Sequence, residues 1–244
     1  MFEEPYRWVE AVSNRREYLD EQLKAGSPVL ALPCREGIFL LSASSGTQKV
    51  YEIYDRIAMG AIGHPADVER LRNVILDMAH VEGFNRSPSD VTARRLIQFG
   101  LAPMVKTAFE EIAHAPFIIR LLIAELGPAD APVLYTLNYD GVFKEEHRAL
   151  LLAPNEEAAE RSAALMKTLS KKANQPMAEL FEEAFKAWGL AECEADKLEA
   201  HLKETLKERR IEAVLLSSAI PGPSKYHELS KDEIADLTQA WSGD

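Results

Sequence analysis

The residue types that most often carry out chemistry are few in this sequence and poorly spaced for it. Cys34 and Cys193 lie far apart and form no CxxC pair, which gives no support to a disulfide framework or a zinc site. None of the six histidines stands four residues from another, the spacing that places two imidazoles on one helix face for a metal. His64 directly precedes Pro65, and we expect it to be a turn residue. The residues therefore predict no metal site and no cofactor.

Motifs for nucleotide and hydrolase chemistry are missing as well. The chain contains no GxxxxGK[ST], GxGxxG, HExxH or GxSxG pattern. It therefore lacks the glycine loops, paired histidines and exposed serine turn that these chemistries need. Four carboxylates near one predicted helix are interpreted as its solvent-facing side: Glu182, Glu183, Glu192 and Glu194.

Length and charge restrict the function further. The 244 residues, 47% of them hydrophobic, suffice for one large domain or at most two small ones. A net charge of -11 argues against nucleic acid or an anionic membrane as the main partner, because phosphate binding needs clustered Lys and Arg. The N-terminus has no basic segment followed by an apolar one. The longest apolar stretch, residues 117–127, is interrupted by Arg120 and Glu125, and a bilayer span needs about 20 apolar residues. We expect a soluble, cytoplasmic protein.

Helical signals open the chain and recur in its middle and at its end. The predicted helices span residues 5–25, 65–83, 87–113, 156–170, 176–188 and 194–209, with a last helix opening at a capping box of Ser230 and Glu233. Gly26 is a good terminator for the first of them. In the helix predicted over 87–113, Ser87 is expected to cap with Asp90, and Pro103 to cause a kink or an earlier end.

Strand signals gather in blocks between these helices. The predicted strands span residues 28–32, 38–43, 49–62, 117–125, 133–137, 147–152 and 211–217. The first two are expected to form a hairpin around Arg35-Glu36-Gly37. Blocks of strands separated by blocks of helices favour an α+β fold over strict alternation. No repeat or linker divides the chain, so we expect a single domain over residues 1–244.

Residues 49–72, KVYEIYDRIAMGAIGHPADVERLR, resemble the central strand and first core helix of proteasome subunits, with a Lys, an apolar strand, a small-residue turn and a long helix in this order. The resemblance is closest to α subunits of the actinobacterial type. It continues through the segments GFNRSPSDVTARRL, APFIIRLLIAELG, LYTLNYDG and AVLLSSAIPGPSKYHELSKDEI. It covers residues 5–170 and 210–237, whereas residues 170–209 are longer and more charged than the family pattern. The resemblance implies a four-layer αββα sandwich, the N-terminal-nucleophile hydrolase fold.

The same resemblance distinguishes catalytic β subunits from inert α subunits. A catalytic subunit needs an N-terminal Thr, freed by cleavage after a Gly, together with a Lys and an acid that orients the Lys. Gly26-Ser27 stands at the matching junction and Lys49 matches the Lys. However, the nucleophile position is Ser followed by Pro28, Ala43 stands where the acid belongs, and Leu-Leu-Ala-Pro at 151–154 replaces a supporting Gly-Ser-Gly turn. Because these groups act as a unit, the resemblance implies no catalytic residue.

In α subunits, the helix before this junction stays attached, lies across the open end of the sandwich and helps to build the ring. The resemblance implies that residues 9–25 form this helix. The tail before it, residues 1–8, would gate the pore, with Phe2, Tyr6, Arg7 and Trp8 as gate residues. A frayed terminus without a role is the alternative.

Lys49 acquires a different role in this comparison. In α rings, the Lys at its position lies in a pocket between neighbouring subunits and pairs with the C-terminal carboxylate of an activator ATPase. A surface Lys at the start of a strand is the alternative. Asp20 stands where archaeal α subunits carry an Arg, so contacts with the activator are expected to differ there.

The resemblance thus implies a set of macromolecular partners and leaves two alternatives. The chain is expected to form a heptameric ring, to cap a ring of β subunits, to dock a ring-shaped activator ATPase and to admit unfolded protein substrates. The first alternative is a self-processing peptidase with Ser27 as nucleophile and Lys49 as its activator. The second is a stand-alone scaffold protein of the same fold.

Overall fold

Two five-stranded antiparallel sheets form the centre of the molecule, in a computed structural model that describes residues 5–242, with side chains for 7–239 and 241. One sheet has the strand order β10-β9-β2-β1-β8 and the other the order β3-β4-β5-β6-β7. The strands are β1 (Val29–Cys34), β2 (Gly37–Ser44), β3 (Val50–Tyr54), β4 (Ile57–Gly63), β5 (Ile119–Leu126), β6 (Pro132–Asn138), β7 (Phe143–Glu146), β8 (Leu150–Leu152), β9 (Arg210–Leu216) and β10 (Tyr226–Glu228).

Helices cover the outer face of each sheet. They are α1 (Pro5–Leu23), α2 (Pro65–Asn85), α3 (Ala93–Leu96), α4 (Ala102–Glu110), α5 (Glu156–Lys171), α6 (Met177–Glu192), α7 (Leu198–Glu208), α8 (Lys231–Leu237) and α9 (Gln239–Ser242). Helices α2 to α4 pack on the β3–β7 sheet, and α5 to α9 pack on the other sheet. The predicted α+β sandwich of four layers is therefore confirmed. Along residues 5–242, every helix is too short or too polar to cross a membrane.

Side-chain alternation along the strands explains the layers. In β2, Ile38 and Leu40 point into the core between the two sheets, whereas Phe39 and Leu41 point toward the α5–α9 layer. Both faces of this strand are buried. The sheets therefore share one internal core, and each has a second core beneath its own helices.

The predicted hairpin after the leading helix is confirmed. Strands β1 and β2 pair antiparallel, from Val29 opposite Ser42 to Cys34 opposite Gly37. Gly37 has φ of +143°, and a Cβ there would lie 2.0 Å from the carbonyl oxygen of Leu216. Only glycine fits that turn.

Several predicted strand boundaries are wrong. The single strand predicted over residues 49–62 is two strands, β3 and β4, because the chain turns at Asp55-Arg56. The strand predicted over 147–152 contains only β8. Strand β7 was not predicted because its sequence, Phe-Lys-Glu-Glu, is mostly charged. It is an edge strand that is half exposed to solvent. Strand β10 is likewise short and polar, and no signal predicted it.

The helix predicted over residues 87–113 is also wrong as one element. Ser87 caps only a 3-10 turn, accepting the N–H of Ser89, and Thr92 caps α3. A π-helical turn over Ile97–Leu101 joins α3 to α4, which ends at Glu110. This wider turn lies directly before Pro103, which has no N–H and would clash with a regular turn behind it. The capping box at Ser230 and Glu233, by contrast, is confirmed.

Candidate functional site

Helix α1 packs across one end of the sandwich. Its residues Leu19 and Leu23 are fully buried in the core between the sheets. Arg15 donates hydrogen bonds to the carbonyl oxygens of Phe109 (2.8 Å) and Glu111 (3.1 Å) near the end of α4. Apolar burial and hydrogen bonds therefore both attach this helix to the body of the molecule.

Asp20 binds the same helix to the β3–β7 sheet. Its Oδ1 accepts hydrogen bonds from the Arg120 guanidinium (2.8 Å) and the Tyr139 hydroxyl (3.0 Å). Burial, followed by the bond to Asp20, raises the pKa of Tyr139 to about 12. Asp20 thus has an internal structural role, and the predicted difference in activator contacts at this position stays a prediction.

The chain passes from α1 into β1 through Gly26. A Cβ at Gly26 would lie 2.2 Å from Cγ2 of Ile62, so a larger residue would require one of the two to move. The Gly26 N–H donates to the carbonyl oxygen of Leu23 (2.9 Å), and α1 ends at Leu23, two residues before the predicted end at residue 25. The close packing explains a glycine here without any cleavage reaction.

Ser27 is buried in mid-chain, with 7% of its surface exposed. Its hydroxyl donates to Oε1 of Glu192 (2.6 Å) and accepts from Nη2 of Arg209 (2.7 Å). Its backbone nitrogen is the amide shared with Gly26. As long as the Gly26–Ser27 peptide bond is intact, Ser27 has no α-amine to serve as the base that an N-terminal nucleophile requires.

The partners of Ser27 form a charged cluster, termed the Ser27 network: Ser27, Glu192, His201 and Arg209. Nη1 of Arg209 donates to Oε2 of Glu192 (2.5 Å), and Nε2 of His201 lies 2.9 Å from the same oxygen. The side chains of Arg209 and Glu192 are only 18% and 14% exposed. Removal of one partner of such a buried ion pair costs several kcal/mol of folding free energy, because the other charge stays buried. Both Glu192 and Arg209 lie in residues 170–209, the segment that we expect to depart from the family pattern.

Trp188 forms one wall of this network. It is fully buried, and its indole N–H donates to the carbonyl oxygen of Pro28 (2.9 Å). The Arg209 guanidinium lies 5.2 Å from the centre of the indole ring, within range of a cation–π contact. Nη2 of Arg209 also donates to the carbonyl oxygen of Ala43 (2.8 Å). The resemblance expects an acid at position 43. The structure has instead the backbone carbonyl oxygen of Ala43, which is hydrogen-bonded to the Arg209 guanidinium.

Two of the four carboxylates assigned to a solvent-facing side behave as predicted. The side chains of Glu182 and Glu194 are 55% and 64% exposed. The prediction is wrong for Glu192, which lies at the end of α6 and turns inward to Arg209. Glu183 is partly buried and pairs with Lys172. The sequence pattern located the helix but not the partners around it.

Residues 151–154 replace the turn that supports catalysis in β subunits. Nη1 of Arg120 donates to the carbonyl oxygens of Ala153 and Pro154, both at 3.0 Å. The same Arg120 is the partner of Asp20. This segment therefore helps to hold α1 in place.

Lys49 borders a separate open cleft of about 280 Å³, termed the Lys49 cleft. Its walls are the end of α1, the end of β4 and the start of α2, with Gly26 and His64 among the lining residues. Gly26 also lines the pocket at the Ser27 network. Burial lowers the pKa of Lys49, and the charge of Glu212 opposes that shift. Among residues 5–242, the Lys49 ammonium makes no hydrogen bond or ion pair.

Only part of the predicted gate group falls within the described residues. Phe2 lies outside them, and Tyr6 is described by its backbone alone. Arg7 and Trp8 lie in α1, which begins at Pro5, earlier than the predicted end of the tail at residue 8. Their role at a pore stays a prediction.

The described residues offer little for metal or thiol chemistry. Between residues 5 and 242, no three His, Cys, Asp or Glu side chains are grouped as metal ligands. Cys34 and Cys193 are free thiols, and burial raises the pKa of Cys34 to about 11. Nδ1 of His64 accepts the N–H of Ala66 (3.3 Å) at the start of α2, which confirms His64 as a turn residue.

Sequence reasoning missed Glu192, Arg209 and Glu212. The first two lie in the departing segment, where no family pattern guided the interpretation. Glu212 had a usable signal, since it is the one carboxylate in the otherwise apolar run from Ile211 to Leu216. A charge inside a buried strand is rare unless it is bonded.

Comparison with known proteins agrees with the fold. The sequence profile of the family described as proteasome subunit matches residues 23–186. A protein named proteasome subunit alpha from Thermomonospora curvata is 28% identical over 221 residues, covering 89% of this chain and 87% of that protein. One of the same name from Mycolicibacterium vanbaalenii is 32% identical over 185 residues, covering 74% and 70%. Another, from Jonesia denitrificans, is 32% identical over 149 residues, covering 60% and 62%.

Proposed function

Because the chain belongs to the proteasome subunit family, we propose that it is a non-catalytic α-type subunit that forms a heptameric ring, caps a ring of β subunits and controls the entry of unfolded proteins in the cytoplasm. The observation that carries this proposal is the Ser27 network. The residue at the nucleophile position is in mid-chain, buried, and hydrogen-bonded on both sides to Glu192 and Arg209. Relatives of this chain are named proteasome subunit alpha.

The chemistry at Ser27 supports a subunit without peptidase activity. The hydroxyl proton points to a carboxylate that is already bonded to Arg209 and His201. A nucleophile also needs room for a substrate carbonyl within about 3 to 3.5 Å, whereas Arg209 occupies the space between Ser27 and the Ala43 carbonyl. Peptide hydrolysis is therefore left to the β partners.

Intact mass and a peptidase assay test this conclusion. We expect the purified chain to keep residues 1–26 and to hydrolyse no peptide by itself. A Ser27→Ala variant should behave identically in both measurements. A mature form that begins at Ser27 and digests peptides unaided, with loss of that activity in Ser27→Ala, would instead identify a self-processing peptidase.

The start of α1 supports its place at a subunit contact. Trp8 and Val9 are adjacent there and 43% and 66% exposed, whereas Tyr18, 51% exposed, lies on the face opposite Val9 because nine residues make two and a half helical turns. Exposed large apolar side chains next to one another are typical of a protein contact. We assign Trp8 and Val9 to a contact with the neighbouring subunit of the ring.

Co-expression with candidate β subunits tests the assembly. We expect a high-mass particle with sevenfold rings in electron micrographs, and rings of the α chain when it is expressed alone. A chain that stays monomeric and fails to co-purify with any β subunit would favour the stand-alone scaffold.

The Lys49 cleft supports a docking role for Lys49. An unpaired ammonium at the edge of an open cleft is suited to the terminal carboxylate of a partner chain, which would form a charge-assisted contact. The ligand in this proposal is the C-terminal carboxylate of a ring-shaped activator ATPase. The neighbouring subunit of the ring would complete the pocket.

Lys49→Ala tests the docking role. We expect the variant to assemble normally but to lose most of the stimulation of proteolysis by the activator. The exposed Lys207→Ala serves as a matched control and should retain full stimulation. Equal stimulation of Lys49→Ala and the wild type would remove Lys49 from the mechanism.

Deletion of residues 1–8 tests the gate. We expect faster basal entry and cleavage of short peptides by the assembled particle, because the tail would no longer obstruct the pore. Replacement of Trp8 alone by Ala gives a milder control. An unchanged basal rate after the deletion would mean that the terminus has no gating role.

A further inference from the structure

Glu212 is a carboxylate inside β9 with 2% of its surface exposed. A charge in such a place is costly unless hydrogen bonds replace the lost water. Its neighbours along the strand, Ile211 and Ala213, are apolar and buried. The position therefore calls for a specific set of partners.

Those partners are Val50, the first residue of β3 in the opposite sheet, and Lys49 directly before it. The backbone N–H groups of Lys49 and Val50 both donate to Oε2 of Glu212 at 2.8 Å. Glu212 itself stands opposite Ser42 in the register of β9 and β2. The carboxylate thus crosses from one sheet to the other and binds the backbone of Lys49 directly.

The second oxygen of this carboxylate can still accept a hydrogen bond. Within the described residues, Oε1 of Glu212 is buried and has no hydrogen-bond partner. Its negative charge acts on Lys49 through a poorly hydrated region, where charges interact more strongly than in water. Among the charges that act on Lys49, that of Glu212 is the largest that favours the ammonium form.

We propose that Glu212 is a positioning residue for Lys49, holding its backbone in place and its ammonium charged at the docking cleft. It supplies from β9 the acid that is missing at Ala43. This inference rests on the proposed docking function and adds to it the residue that sustains the cleft lysine. Glu212 does not contact the incoming carboxylate.

Other titratable groups around Lys49 do not replace Glu212. Arg209 and Glu192 also act on Lys49, with opposite signs, and they are bonded to each other. His64 lines the cleft but is engaged with the N–H of Ala66.

Around Glu212 itself lie three further titratable groups, Tyr51, Arg210 and Tyr226. The negative charge of Glu212 contributes to the raised pKa of each of them. Arg210 is paired with Glu228 on the neighbouring strand. Glu212 therefore remains the acid that acts most on Lys49.

The proposal is tested by measuring how fast Lys49 is acylated at different pH values in the assembled wild-type ring and in Glu212→Gln. The reagent is an N-hydroxysuccinimide ester, and peptide mass spectrometry quantifies the acylated Lys49. Only the neutral amine reacts, so the rate reports the fraction of Lys49 that has lost its proton. The amide oxygen of Gln can still accept both backbone N–H groups, but the charge is gone. We expect the Lys49 profile to move to lower pH, so that the rate at pH 8 rises at least about threefold, since each pKa unit is tenfold.

Glu125→Gln is the matched control. Glu125 is another buried strand carboxylate that accepts a backbone N–H, from Ala93 at 3.0 Å. It is not among the charges that act on Lys49, so its variant should leave the Lys49 profile unchanged. Superimposable profiles for Glu212→Gln and the wild type would overturn the proposal, because they would leave Glu212 with a purely structural role.

A second neutral variant applies even if Glu212→Gln does not fold. Glu212→Met replaces the buried carboxylate by an apolar side chain of similar size, a change that folded proteins often tolerate. We expect the Lys49 acylation profile to move to lower pH in Glu212→Met as well, and a profile superimposable on that of the wild type would contradict the proposal. Neither variant needs an activator for this readout, so a failure of activator docking in the wild type would be recognised separately.

Discussion

The Ser27 network and the Lys49 cleft meet at Gly26 and treat their polar groups in opposite ways. At Ser27, the hydroxyl and the charged groups around it are bonded to one another and to the Ala43 carbonyl. At Lys49, the ammonium has no bonded partner among residues 5–242, although a buried acid lies behind it. Both regions border open pockets, of about 520 Å³ at Ser27 and about 280 Å³ at Lys49. They differ in how their polar groups are bonded, since at Ser27 only Nε of Arg209 is buried without a partner among the described residues.

The Ser27 hydroxyl has internal partners, Glu192 at the end of α6 and Arg209 directly after α7. The Lys49 ammonium has a buried acid near its backbone but no bonded partner among the described residues. The difference lies in side-chain partners, since the backbone of the sandwich is common to both regions.

Arg209→Met should give the largest effect on stability. It removes the guanidinium from the buried Glu192 carboxylate, which keeps only Ser27 and His201 as partners, and loss of one member of a buried ion pair costs about 3 to 5 kcal/mol. We expect thermal unfolding to shift down by roughly 6 to 20 °C. The double variant Arg209→Met with Glu192→Met removes both charges and should recover much of the loss. A single variant as stable as the wild type would show that water reaches the network.

Gly26→Ala should have the next largest effect. The new Cβ would meet Ile62 at 2.2 Å, and overpacking of this kind costs about 1 to 3 kcal/mol. The Ser27 network and the Lys49 cleft should both become less stable locally. This should be measurable as faster backbone hydrogen exchange over residues 20–30. Ile62→Ala combined with Gly26→Ala should cost less than the sum of the two single changes. Strict additivity would mean that the chain relaxes without this contact.

Asp20→Ala should weaken the attachment of α1 more modestly. It removes one acceptor shared by Arg120 and Tyr139, and such bonds contribute about 1 kcal/mol each. Urea unfolding measures the loss, and Asp20→Asn, which keeps an acceptor, should lose less. Equal losses in the two variants would indicate that charge, and not the hydrogen bond, matters here.

Lys49→Met should have the smallest effect on stability, and this effect should be stabilising. The pKa of Lys49 is lower in the folded state than in the unfolded state, mainly through burial. The unfolded chain therefore binds the proton more tightly, and wild-type stability rises as the pH rises through the folded pKa toward the unfolded one. Lys49→Met should be as stable as the wild type at pH 7 or slightly more so, and should lack this alkaline rise in urea unfolding. A large loss of stability would mean that Lys49 is structural.

Much of the fold was predictable because local signals and burial agree. The hairpin of β1 and β2, the end of α1 shortly before Gly26 and the capping box at Ser230 follow from turn, terminator and cap residues. The helix predicted over 87–113 failed as one element because the chain is extended at Val91-Thr92, a break for which only Pro103, further along, gave a signal. The edge strands β7 and β10 failed because they are short and polar.

The candidate site was predictable only where the family resemblance reached. Lys49 was identified from its place before an apolar strand, and Ser27 from its place after a glycine. Their partners Glu192, Arg209 and Glu212 depend on contacts across 160 or more residues. No spacing along the sequence encodes such contacts. Their discovery required the three-dimensional arrangement.

The hydrogen bond from Arg209 to the Ala43 carbonyl has a consequence for peptidase activity. A variant with peptidase activity would need an acid in place of Ala43 and a free terminus at Ser27, and Arg209 would have to leave its position between them. Loss of Arg209 alone would deprive the buried Glu192 carboxylate of its guanidinium partner. Because several changes are needed together, no single substitution in this chain is expected to create a peptidase.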